Sequence, residues 1–113
     1  MKISMMREGL EILVDREEAK LTVALKGRLD TSTSPELEME MLPLLKGVTE
    51  LTMELKELEF ITSAGLRVLL KAVQIMKDQG EMTVTNPNSE VREVFDITGF
   101  NGILPIKPEI ETD

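Results

Sequence analysis

Two stretches of this sequence crowd hydroxyl and carboxylate side chains into turns: Asp30-Thr31-Ser32-Thr33-Ser34 and Thr62-Ser63-Ala64-Gly65. Such groups close turns, cap helices and, as serine or threonine, accept phosphoryl groups. Covalent catalysis of the usual kinds is not open to them. The chain has no histidine and no cysteine, so Ser-His and Cys-His pairs are excluded, as are zinc sites built on thiolate or imidazole. No metal or cofactor is expected. The lack of cysteine also removes disulfides and suits a reducing compartment.

Ser63 is the residue on which a switch could be built. Apolar alternation precedes it and helical spacing follows it, so it opens a helix, where its hydroxyl can cap free N–H groups and the helix dipole favours an anion. A phosphate here would add about −1.5 to −2 charge without melting the helix. Its effect would fall on whatever docks against this surface. Gly65, in the same first turn, costs up to ~1 kcal/mol against alanine, which is easier to explain if another backbone approaches closely. A plainer account stays open: Ser63 as an N-cap alone, Gly65 as packing relief where helix meets sheet, and Asp30 as a turn or cap carboxylate.

The elements that position these turns follow from periodicity. Ile12 and Val14, then Leu21, Val23 and Leu25, predict two strands joined as an antiparallel hairpin through Asp15-Arg16-Glu17-Glu18, the second running into Gly27-Arg28-Leu29-Asp30. Hydroxyl caps and Pro35 open a helix carrying Leu37, Met41, Leu44 and Leu45, stopped at Gly47 and bent or shortened by Pro43. Met39 and Met41 are expected to fill core, and Glu36, Glu38 and Glu40 to lie on solvated surface. Leu51, Met53 and Leu55 give a third strand ending at Ile61. The helix after Ser63 carries Leu66, Leu69, Leu70, Val73 and Met76 up to Gly80, with Thr62 or Ser63 as its cap. Met82 and Val84 give a fourth strand; Val91, Val94 and Phe95 mark a third helix ending at Gly99; Ile103 to Ile106 offers a short edge strand. Strand then helix, repeated, implies parallel pairing of the later strands. If the second and third strands are neighbours, the two hydroxyl-rich turns lie side by side at their carboxyl ends, where α/β sheets build sites.

At 113 residues the chain has room for one core, placed at residues 1–106, with a frayed polar tail from Lys107 to Asp113. A formal charge of −8 repels phosphate backbones and anionic lipid, so neither nucleic acid nor membrane is an expected partner. The acidity serves solubility or steering toward a basic patch on a partner. The start, MKISMMREG, carries no leader-like apolar run and nothing in the chain is long enough to span a bilayer, giving a cytoplasmic expectation.

Phe60-Ile61-Thr62-Ser63-Ala64-Gly65-Leu66-Arg67-Val68-Leu69-Leu70 resembles the signature of the STAS family, in which a phosphorylatable serine or threonine opens a helix before a Gly-Leu pair. Gly27-Arg28-Leu29-Asp30 and Phe95-Asp96-Ile97-Thr98-Gly99-Phe100 resemble two further family motifs, in the same order along the chain. The resemblance implies an α/β fold with a mixed four- to five-stranded sheet, an N-terminal hairpin followed by parallel βα units, and three to four helices. It implies an anti-sigma factor antagonist of bacterial partner switching, which binds an anti-sigma factor with serine kinase activity, is released when that kinase phosphorylates Ser63, and is reset by a phosphatase. Asp30, Thr31, Thr62, Ala64, Gly65 and Arg67 are the contact residues it implies. Thr62 stands where several family members have aspartate, which alters kinase recognition or makes Thr62 a second acceptor. Lys107 to Asp113 is too short to supply the further C-terminal helix often found in the family, so that sheet edge is expected to be more open.

Two other classes remain. One is a constitutive STAS subunit of a signalling or transporter complex, with Ser63 never modified. The other is a small enzyme or nucleotide-binding protein of flavodoxin-like shape. The latter is disfavoured, because no dinucleotide fingerprint or P-loop appears and Phe60, Phe95 and Phe100 are the only aromatics.

Overall fold

In a computed structural model, which describes residues 1–107, the alternation of apolar and polar residues builds six strands. These are β1 (Lys2–Arg7), β2 (Leu10–Glu17), β3 (Lys20–Leu29), β4 (Glu50–Ile61), β5 (Glu81–Thr85) and β6 (Ile106–Lys107). They form one sheet in sequential order, antiparallel from β1 to β3 and parallel from β3 to β6. Leu21, Val23, Leu25, Leu51, Met53, Met82 and Val84 turn into the core, while Thr22, Ala24, Thr52, Glu54 and Thr83 on the other face stay half-buried or exposed. Helices α1 (Ser34–Met41), α2 (Ser63–Lys77) and α3 (Ser89–Thr98) close the same core with Leu37, Met41, Leu66, Leu69, Val91 and Phe95. Among the described residues no helix is long and apolar enough to cross a membrane.

Six strands replace the four to five expected. The unforeseen one is β1, where only Met5 and Arg7 are even half-buried, so it lacks a strong apolar signal. Partnership holds it instead: its ladder with β2, and Arg7, whose guanidinium donates to Glu36 (2.8 Å) and Glu40 (2.6 Å) on α1. Those two glutamates are therefore ion-paired rather than merely solvated. The hairpin turn is also tighter than expected. Asp15 to Glu17 belong to β2, and the chain reverses at Glu18, whose φ of 57° is left-handed.

Pro43 acts as anticipated: α1 ends at Met41 and a 3-10 turn covers Leu42–Leu45. Asn88 caps α3, its Oδ1 accepting from the Val91 N–H at 2.8 Å, and Gly99 ends that helix in the left-handed region at φ 80°. The terminal strand is narrower than predicted. Ile103 lies outside it, exposed, and among the described residues β6 pairs with Val84 and Thr85 of β5. Lys107 belongs to this strand, whereas residues 108–113, the rest of the expected tail, lie outside the described residues.

Gly27 sits where β3 crosses Gly9, at φ 111°, and a Cβ there would run into the Gly9 carbonyl oxygen. Gly27→Ala should lower the unfolding free energy by about 2 kcal/mol or more, seen as a reduced urea midpoint at unchanged m-value. Gly99→Ala, with open space around the site, should cost only about 1 kcal/mol.

Candidate functional site

Strands β3 and β4 run parallel with Leu29 opposite Ile61, and the ladder continues one step further where the Thr62 N–H donates to the Leu29 carbonyl at 3.0 Å. The chain leaving β3 at Asp30 and the chain leaving β4 at Thr62 therefore emerge side by side. This is the adjacency expected if those strands were neighbours.

The first turn is organised around one carboxylate oxygen. Asp30 Oδ1 accepts from the Ser32 N–H (3.0 Å), the Ser32 hydroxyl (2.8 Å) and the Thr33 N–H (3.0 Å). Thr33 is buried, and its Oγ1 accepts from the Asp30 N–H (2.9 Å) and donates to the Arg28 carbonyl (2.9 Å). The hydroxyls thus do not cap α1 as expected: Thr33 holds the N-cap position without a side-chain cap bond, its oxygen being committed to the turn. The Ser32 hydroxyl, and then the Thr33 amide, hold the Asp30 carboxyl below the usual aspartate range, with partial desolvation working the other way. Asp30 is a turn carboxylate, and Thr31 stands exposed at the tip beside it.

The second turn divides its two hydroxyls sharply. Thr62 is the N-cap of α2 in extended conformation (φ −109°, ψ 176°) but makes no capping bond, and its Oγ1 is buried with no hydrogen-bond partner among the described residues. Ser63, the first helical residue, is exposed and its hydroxyl is likewise unbonded there. Neither expected cap is therefore made. Ala64 is half-buried and Arg67 is exposed. Gly65 points inward: a Cβ would lie 2.7 Å from Leu29 Cγ and 2.9 Å from Ile61 Cγ1. Side chains of the core, not an approaching backbone, explain this glycine.

A feature missed in the sequence lies next to Ser63. An open groove of about 740 Å³ runs between α1 and α2, walled by Pro35, Met39, Leu42, Pro43, Ala64 and Val68, with Arg67 and Lys71 also lining it. Met39, expected in the core, is instead 64% exposed on the groove wall, whereas Met41 is fully buried. The signal was available in their spacing, since residues two apart on a helix lie on different faces. Lys71 is engaged by Glu38 at 2.9 Å. No cluster of three or more acidic, histidine or cysteine side chains among the described residues could hold a metal ion.

The sequence profile of the STAS domain matches residues 11–112. Among curated proteins, BtrV of Bordetella bronchiseptica is 35% identical over 99 residues, covering 86% of this chain and 85% of that one. An anti-sigma F factor antagonist of Paenibacillus polymyxa is 32% identical over 101 residues, covering 87% and 86%. Among solved structures, the anti-sigma factor antagonist SpoIIAA in its unphosphorylated form superposes with a TM-score of 0.74 at 20% identity, covering 87% of this chain and 89% of that one. The Bacillus cell fate determinant SpoIIAA in its phosphorylated form superposes with a TM-score of 0.66 at 19% identity, covering 87% and 92%. At such identities these structures establish the fold: an α/β sheet with N-terminal antiparallel strands, then parallel ones, and three helices.

Gly65→Ala should cost about 1–3 kcal/mol of stability by overpacking Leu29 and Ile61, read from urea unfolding. For Asp30, the folded pKa lies below the unfolded one, so its ionised form stabilises the fold at neutral pH. The stability gap between parent and Asp30→Asn should be full above the ordinary aspartate range, shrink as pH falls through it, and close below the folded value; a gap constant from pH 7 to pH 2 would refute this.

Proposed function

The chain belongs to the STAS domain family, and from that membership we propose that it is a cytoplasmic anti-sigma factor antagonist whose binding is switched off by phosphorylation of Ser63. It has no activity of its own in this reading. The unphosphorylated form binds an anti-sigma factor that is also a serine kinase, and so frees a sigma factor for transcription. The kinase then transfers the terminal phosphoryl of ATP to Ser63: the Oγ–P bond forms, the bond to ADP breaks, and the hydroxyl proton passes to a base on the kinase. A phosphatase restores the hydroxyl by hydrolysis.

The observation that carries this reading is the exposed hydroxyl of Ser63, unbonded among the described residues, at the first position of α2 beside half-buried Asp30 and exposed Thr31. A kinase must reach the oxygen it modifies, and Ser63 Oγ is open to it. The hydroxyl of Thr62 is not, because its Oγ1 is buried. Of these two adjacent hydroxyls, burial favours Ser63 as the acceptor and leaves Thr62 as a docking neighbour. A solved relative is described in both phosphorylated and unphosphorylated forms, which fits a fold that survives the modification. Asp30, Thr31, Ala64 and Arg67 surround Ser63 as the docking surface, with Gly65 supporting it from beneath.

The test is incubation of the protein with ATP and each anti-sigma-like serine kinase of its own genome, reading intact mass and complex formation. One phosphate should appear on the parent and none on Ser63→Ala. Ser63→Asp should lose a complex that Ser63→Ala keeps, by about tenfold or more in Kd. If no kinase modifies the chain and all three bind a partner equally, Ser63 is only a surface serine and the protein is a constitutive STAS subunit.

A further inference from the structure

Ser63 and Arg67 stand four residues apart on α2 and so share one helix face, a turn apart. Arg67 is exposed and makes neither an ion pair nor a side-chain hydrogen bond among the described residues. This sets it apart from Lys71, the next cation along the groove, which Glu38 holds at 2.9 Å. We infer that a phosphoryl group on Ser63 is taken up in cis by Arg67, which withdraws the arginine from the docking surface as negative charge is added to it. The inference rests on the reading that Ser63 is the acceptor, and it names how the modification acts on that surface.

Three features favour the clasp. An anion placed four residues before a cation is the better of the two orientations for a helical pair, and at the first position of α2 the anion also meets the favourable end of the helix dipole. The guanidinium fork matches two phosphoryl oxygens at once. The Asp30 turn emerges beside the head of α2, and its carboxylate, held ionised by its hydrogen bonds, repels a phosphoryl group on Ser63 and so does not compete with Arg67 for it. The remaining charged groups near the groove, Glu38 and Lys71, occupy each other. Arg67 also lines the groove mouth with Ala64. Drawing it back onto Ser63 replaces a free cation there by an anionic pair.

The experiment is a ³¹P NMR titration of the full chain with phosphoserine installed at position 63 during translation, compared with Arg67→Gln and Arg67→Lys. The second phosphate ionisation falls near pH 6, and the chain has no histidine to titrate in that window. The parent should show that pKa lower than Arg67→Gln by about 0.3–0.7 units, with Arg67→Lys in between, since a lysine supplies charge without the fork. Circular dichroism should be the same for all three, as Arg67 is exposed. Equal phosphate pKa values in the parent and Arg67→Gln overturn the clasp even if a kinase is found to modify Ser63. An Arg67-dependent value upholds it even if none does.

Discussion

The arrangement depends first on the parallel pairing of β3 and β4 at their carboxyl ends, with Leu29 opposite Ile61. Those two side chains face the core together, and α2 must lie close over both. Only a residue without Cβ allows that approach, and Gly65 is that residue. The close contact places the start of α2 beside the Asp30 turn, and the Thr62–Leu29 backbone hydrogen bond ties the two chain exits into one ladder. Core packing thereby decides where the surface chemistry sits. A glycine that looks like part of a docking motif does its work one layer further in.

Within that frame, six hydroxyls in two short turns have different fates, and Thr31 stands exposed at the tip of the first. Thr33 is buried and bonded, and holds a turn. Ser34 is buried at the start of α1 and bonds back to the Asp30 carbonyl. Ser32 serves the Asp30 carboxylate. Thr62 Oγ1 is buried without a partner among the described residues, a small standing cost. At the head of α2, Ser63 is exposed, with its hydroxyl unbonded among the described residues.

The electrostatics follow the same division. The acidic surplus of the chain is broad and largely solvated, with several exposed ion pairs worth little individually. Near Ser63 the charges are few and distinct: an ionised Asp30 fixed by its turn, a Glu38–Lys71 pair and an unengaged Arg67. Arg67 and Lys71 line the largely apolar groove that begins beside Ala64.

Periodicity in the sequence was enough to determine the antiparallel hairpin, the alternation of strand and helix with parallel pairing after it, the proline-shortened α1 and the Ser63 position at the head of α2. Those properties are local, set by spacings of two, three and four and by proline and glycine. What depended on contacts distant in the chain was decided only by the tertiary structure. β1 has almost no apolar pattern, and Arg7 reaching Glu36 and Glu40 on α1 helps secure it. Met39 faces outward because Met41, two residues on, takes the core. Gly65 points inward because Leu29 and Ile61 meet beneath it. The separation of Thr62 from Ser63, adjacent hydroxyls of similar chemistry, is likewise tertiary: a sequence gives the order of two side chains, but burial depends on what packs over each.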